Sequence, residues 1–221
     1  MQDEVVVVVA GGEAPPEEAV RELPPGARVV AADRGVDHAL ALGLDVELAI
    51  GDFDSASAAA LAEAAASGAR VERHPEDKDA TDLELALDAA LELEPQPDRI
   101  LVLAGVGQRL DHLLAALLLL GSPHYDGVEV DAVIGDARIH VIRGSRTLAG
   151  RPGELVSLLP LHGAAEGVRT EGLEYPLAGE TLEAGSSRGV SNRLTGEAAR
   201  VAVERGILLA VWPGRGSEEP A

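Results

Sequence analysis

Two aspartates, Asp52 and Asp54, stand two residues apart in "GDFDS", directly behind the apolar run "VELAI". In extended backbone that spacing points both carboxylates to one side and Phe53 to the other. Paired carboxylates with a third from another loop suit Mg2+, a hard cation that takes oxygen ligands and keeps water and substrate phosphates in its shell. Like charges held so close repel strongly unless a cation neutralises them. A second stretch, "HPEDKDATDLELAL" (74–87), holds the only lysine of the chain. Lys78 sits between Asp77 and Asp79 with Asp82 just beyond, and the other 17 basic residues are all arginine.

The elements that must position these residues follow from hydrophobic period. Short β-branched runs at 4–10, 27–32, 46–51, 69–74, 99–105 and 128–135 alternate with Ala/Leu-rich segments of helical period at 34–42, 56–67, 80–93 and 111–121. That alternation predicts β-α units on a parallel sheet. The connection "GGEAPPEEAVRELPPG" is irregular, with room for a short helix between its prolines, and "LLAALLLLG" (113–121) reads as one buried helix.

In such a sheet ligands bind at the carboxyl ends of the strands, where this chain collects its acidic residues and glycines. Asp33 follows "VVAA", Asp52 and Asp54 follow "ELAI", and Gly105, Gly107, Arg109 and Asp111 of "GVGQRLDH" follow "RILVLA". Taken singly, each also fits a plainer role. Asp54 or Ser55 would cap one helix and Asp79 or Thr81 the next, with "TDLE" (81–84) matching a capping box. Capping does not call for acidic clusters at three or four successive strand ends, so jointly they read as a metal and phosphate site.

Beyond residue 135 the grammar changes to short strand candidates separated by Gly-rich turns: "ARIHVIRG", "GELVSLLPL", "AAEGVRTEGLEYPL", "RGVSNRL", "ARVAVERG" and "ILLAVWP". The predicted fold class is therefore an α/β N-terminal domain over 1–135 with a Rossmann-like parallel sheet. A small all-β sandwich domain over 136–215 and a frayed tail at 216–221 follow it.

Composition narrows the function. A net charge of −20 with no basic stripe argues against nucleic acid as a partner, and a polyphosphate ligand would need local neutralisation by divalent metal and a few placed cations. There is no cysteine, which excludes disulfides, thiolate metal sites and cysteine nucleophiles and fits a reducing compartment. "MQDEVVVVVAGG" has no basic leader, and no apolar stretch reaches the roughly 20 residues of a membrane span. A cytoplasmic protein without a membrane role is the expectation. A Walker A loop needs Gly-Lys-Ser/Thr, which the lone lysine after Asp77 does not supply. "GVGQRL" lacks the third glycine of a dinucleotide fingerprint, and no G-x-S-x-G elbow is present.

"GDFDS", "DKDATDLELAL", "GQRLDH" and "SNRLTGEAARVAVERG", in this order across an α/β half and a β half, resemble thiamine pyrophosphokinase, also called thiamine diphosphokinase. The resemblance covers nearly the whole chain. It implies transfer of the diphosphoryl group of ATP to the hydroxyl of thiamine, giving thiamine diphosphate and AMP. It also implies a Mg2+ requirement and a homodimer with the site at the subunit interface. Asp52, Asp54 and Asp82 match the family's acidic metal and catalytic positions, with Asp33 at the start of the same surface. Lys78 and Thr81 match the loop near the nucleotide phosphates, Arg109 with Asp111 matches the G-R-x-D-H motif, and Gly107 just before it is placed with the ATP-binding residues. Asp82 or Asp111 is the implied base. Tyr175, Ser191 and Asn192 match the thiamine-binding positions, although by residue type alone they read as strand and turn residues. Arg34 and Gln108 stand where the family usually has glycine. The alternatives are a related diphosphokinase acting on a hydroxymethyl-pterin and a non-catalytic module that binds thiamine or nucleotide.

Overall fold

The computed structural model describes residues 3–107 and 109–214. Gln108 and the tail at 216–221 lie outside the described residues. The chain divides into two compact units. One runs to Leu119 and includes Gly127–Gly135, and the other takes in Leu120–Asp126 and the chain from Asp136 onward.

In the first unit six strands form a parallel sheet: β1 (Val5–Val9), β2 (Arg28–Ala32), β3 (Leu48–Gly51), β4 (Arg70–Arg73), β5 (Arg99–Ala104) and β6 (Glu129–Ile134). Their order is β4-β3-β2-β1-β5-β6, so the chain steps outward from β1 in one direction and resumes on its other side with β5. The crevice between β1 and β5 is the topological switch point where open α/β sheets bind ligands. Five consecutive valines make β1 because both faces of a central parallel strand are covered, which removes the need for polar alternation.

Val7, Val9, Val29, Ala31 and Ala49 pack in one cluster with residues of α1 (Gly35–Ala41) and α2 (Ala58–Ala66). The alternate residues Val6, Val8, Val30, Leu48 and Ile50 are equally buried and point the other way. There α3 (Asp82–Leu91), which packs on β1, β2, β3 and β5, buries Ala86, Leu87 and Ala90. Gly35 opens α1 where a Cβ would come within 2.1 Å of the Val9 carbonyl oxygen, so only glycine lets the helix start that close to the sheet. A short 3-10 helix at Glu17–Glu22 lies between the prolines of the first connection.

The fourth helix, α4 (Leu110–Leu120), forms as the period predicts but is not a buried one. Leu110, Leu114 and Leu118 are 65%, 52% and 50% exposed, and within the helix only Leu120 is buried. Spacing of four keeps these three leucines in one stripe, and period alone cannot say whether anything covers it.

The second unit is antiparallel: β7 (Ala137–Ile142), β8 (Ser145–Ala149), β9 (Leu155–Glu171), β10 (Ala178–Leu182), β11 (Asn192–Arg193), β12 (Ala198–Ala202) and β13 (Arg205–Trp212). Two expected strands merge into the 17-residue β9, which pairs β13 through its first half and β10 and β12 through its second. The join is an irregularity at His162 and Gly163, whose φ values of 59° and 148° bend the strand without ending it. The strands β8 and β10 carry no signal in the sequence. Each buries a single leucine, Leu148 and Leu182, leaving no alternation to read.

Leu120–Asp126 belongs with this unit because Arg143 holds it. Its guanidinium donates to the Leu120 and Ser122 carbonyls at 3.2 and 2.8 Å and pairs with Asp126 at 2.7 Å. Among the described residues no helix is long and apolar enough to cross a membrane.

Candidate functional site

Three carboxylates from three elements converge at the carboxyl ends of β2 and β3. Asp33 follows β2, Asp52 follows β3 and Asp82 opens α3, and one oxygen of each lies within 4.8 Å of the others. Asp33 is 8% exposed; its Oδ2 accepts from the Ser55 hydroxyl while its buried Oδ1 has no hydrogen-bond partner. Lys78 enters from the loop before α3. Its ammonium donates to Asp52 Oδ2 at 2.8 Å and forms an ion pair with Asp82 Oδ1 at 3.1 Å. Thr81 is the N-cap of α3, its hydroxyl accepting from the Glu84 N–H at 3.2 Å, which sets the helix start that aims Asp82 back at the cluster.

The expected pairing of Asp52 with Asp54 does not survive in the structure. Phe53 has φ 59°, so the backbone turns left-handed between them and the period of two is broken. Asp54 is exposed and contributes only its backbone N–H, which donates to Asp52 Oδ1 at 3.1 Å. The Phe53 ring turns into the core under the Arg73 guanidinium, 5.0 Å from the ring centroid. Asp33 takes the third place, itself left-handed at φ 46°. Such backbone conformations cost energy and gather at functional sites.

Gly51 is part of this geometry. Its φ is 147°, and a Cβ there would stand a tight 3.1 Å from Asp82 Oδ1 and 3.2 Å from Asp33 Cα, so glycine eases the approach of both acids. Arg34 is exposed with φ −59°, a conformation that needs no glycine.

The electrostatics separate the three carboxylates. Lys78 above all, aided by the Asp54 N–H, holds Asp52 below the ordinary carboxylate range. Burial pushes Asp82 up, and the charges of Asp52 and Asp33 push it further while Lys78 partly offsets them. For Lys78 burial opposes the charge, yet Asp52 and Asp82 outweigh it and hold the ammonium above its usual value. A buried carboxylate oxygen without a partner, facing two more carboxylates, is a donor set for a hard cation.

The loop after β5 lies at the switch point. The Gly105 N–H donates to the Glu13 carbonyl of the loop after β1 at 3.1 Å, and Gly107 faces the Glu13 side chain. Arg109 and Asp111 form a two-pronged pair at 2.7 and 2.9 Å, both well exposed at the start of α4. Arg109 holds the Asp111 carboxyl far below its usual range and is itself raised by it. Neither belongs to the carboxylate group around Asp33.

In the second unit Asn192 gathers the other predicted residues. Its Oδ1 accepts from the N–H groups of Tyr175 (3.0 Å) and Arg193 (2.9 Å), and its Nδ2 donates to the Tyr175 carbonyl at 2.8 Å. Asn192 is thereby buried with its amide engaged by backbone, while the Tyr175 ring is exposed. Ser191 sits at φ 58°, with its N–H donating to the Ser157 hydroxyl at 3.0 Å. Sequence reasoning missed Ser55 and Ser157, whose only signal was a hydroxyl in a turn and one on a strand, and the steric role of Gly51.

An α/β unit with an acidic cluster and a lysine at its strand ends, joined to an antiparallel β unit, suits an enzyme that acts on phosphates through a divalent cation. The comparisons with known proteins specify which. Residues 25–132 match the family model for the thiamin pyrophosphokinase catalytic domain, and residues 138–208 match that for the thiamin pyrophosphokinase vitamin B1 binding domain. A thiamine pyrophosphokinase of Bacillus subtilis (strain 168) is 29% identical over 194 residues, 82% of this chain and 85% of that protein. A crystal structure of thiamine pyrophosphokinase from Bacillus subtilis superposes with a TM-score of 0.81 at 26% identity, covering 95% of this chain and 98% of that one. One from Geobacillus thermodenitrificans gives 0.79 at 26% identity, covering 96% and 99%. The chain belongs to the thiamine pyrophosphokinase family.

Proposed function

We propose that this enzyme moves the diphosphoryl group of ATP onto the hydroxyl of thiamine, releasing thiamine diphosphate and AMP. The observation that carries the reading is the joint match to the catalytic and vitamin B1 binding domains, with the Asp33, Asp52, Asp82 and Lys78 cluster at the strand ends of the first. In this reaction the thiamine oxygen bonds to the β-phosphorus, the bond from that phosphorus to the oxygen bridging to the α-phosphate breaks, and the hydroxyl proton goes to a base.

Asp33, Asp52 and Asp82 would hold Mg2+, and the partnerless Asp33 Oδ1 fits that role. Mg2+ bound there supplies the charge neutralisation that phosphoryl transfer depends on. Lys78 would meet phosphate oxygens, with Gly107 and Arg109 at the switch point beside the nucleotide. Asp82 and Asp111 are the two candidate bases, Asp111 being paired with Arg109 at the start of α4. Tyr175 and Ser191 would contact thiamine, and Asn192 would position Tyr175. The reading includes a cytoplasmic homodimer; the exposed leucine stripe of α4 is apolar surface that a second copy would cover.

Pure protein incubated with thiamine, ATP and Mg2+ should yield AMP and thiamine diphosphate by mass. ADP, or no product, overturns the reading.

A further inference from the structure

The position of Lys78 implies a competition. Its ammonium, with a side chain only 13% exposed, occupies the mouth of the carboxylate group, 2.8 Å from Asp52 and 3.1 Å from Asp82. Those are two of the three acids that would hold the metal. A cation bound by the same oxygens would lie a few ångströms from the ammonium, where a charge of two against one repels strongly. Asp33 Oδ1 and Asp82 Oδ1 are both buried without a hydrogen-bond partner, the latter in the ion pair with the ammonium.

We propose that Lys78 is a built-in competitor for the divalent cation. In the ligand-free protein it neutralises Asp52 and Asp82 and so disfavours the binding of metal alone. When metal arrives with a polyphosphate, Lys78 leaves the carboxylates for the phosphate oxygens, and metal and nucleotide enter together. The same lysine thus weakens binding of the metal by itself and strengthens binding of the metal with nucleotide. This rests on the metal reading given above and adds to it the order and coupling of binding.

The test is Mn2+ binding to the full chain, without nucleotide, followed by electron paramagnetic resonance. Lys78→Met should bind Mn2+ at least about tenfold more tightly than wild type, because removing one unit charge at this range changes the attraction by more than that factor. With Mn2+ and a non-hydrolysable ATP analogue the order should reverse, the variant binding the pair more weakly. Arg70→Gln, which removes a cation paired with Glu72 on β4, should leave both affinities unchanged and so controls for net charge. Equal or weaker Mn2+ binding by Lys78→Met overturns the inference while leaving the metal site standing. Mn2+ binding by neither protein removes the metal site and the inference with it. A second measurement needs no variant. The chain has one lysine, so lysine-selective 13C labelling gives one ε-methylene signal. Saturating Mg2+ should move it as the ion pair breaks, and a signal that stays put while calorimetry records Mg2+ binding also overturns the inference.

Discussion

Asn192 grips the backbone of Tyr175 from both ends of its amide, accepting the N–H at 3.0 Å and donating to the carbonyl at 2.8 Å. One buried side chain thus satisfies both polar groups of a residue whose ring is left in solvent. Asn192→Ala strands these groups and the Arg193 N–H, at a cost of about 1–3 kcal/mol. The melting temperature should fall and KM for thiamine should rise, with kcat less affected. An unchanged melting temperature would mean the loop is held by something else.

Tyr175 itself is 64% exposed and outside the core cluster of its unit. Tyr175→Ala should therefore change stability by no more than about 0.5 kcal/mol, as for surface positions generally. If the ring packs on thiamine, KM for thiamine rises while KM for ATP stays level. A drop in stability would mark it as a packing residue instead.

Asp52 and Asp54 should part company under substitution. Asp52→Asn removes a member of the carboxylate group and the partner of Lys78, and turnover should fall by about a hundredfold or more. Asp54→Asn keeps the backbone N–H that the structure uses and should retain most of the activity. Equal losses in steady-state assays would return Asp54 to the metal site.

Asp82 carries a pH signature. Its carboxyl is raised above the ordinary 3.8 by burial and by Asp52 and Asp33. A raised carboxyl favours the folded state while protonated, so its contribution is full below pH 3.8 and is lost as pH rises through the higher folded value. In chelator at neutral pH, Asp82→Asn should melt higher than wild type. That advantage should shrink as pH falls toward 3.8, and Mg2+ should raise wild type and not the variant. A variant that melts lower across the whole range shows that Lys78 needs Asp82 more than the cluster is burdened by it.

Gly51→Ala places a Cβ 3.1 Å from Asp82 Oδ1 at a φ of 147°. The backbone strain alone costs about 1–3 kcal/mol. Thermal melts should show that loss, and Mn2+ binding should weaken as Asp82 and Asp33 are forced apart. Wild-type metal affinity in a destabilised variant would show that the acids do not need the approach.

Much of the α/β unit could be read directly from the chain, because its signals are local. Runs of valine and isoleucine make strands covered on both faces, Thr81 caps α3 through a bond three residues long, and residue order places Asp33 and Asp52 at strand ends. Legibility failed where signals were weak or broken: β8 and β10 bury one leucine each, and β9 runs through a His-Gly pair that reads as a turn. The leucines of α4 show the same limit, since hydrophobicity says a face wants covering and not whether it is covered.

The site divides in the same way. Its residue types are written in the chain, but its membership is not. Asp33, Asp52 and Asp82 meet because β2 and β3 lie side by side in register, Gly51 leaves room between them, and Phe53 turns left-handed and throws Asp54 out. Asn192 and Tyr175 meet across 17 residues of chain. These are relations between backbones brought together by burial of the core, and a carboxylate's neighbours in space depend on that packing far more than on its neighbours in sequence.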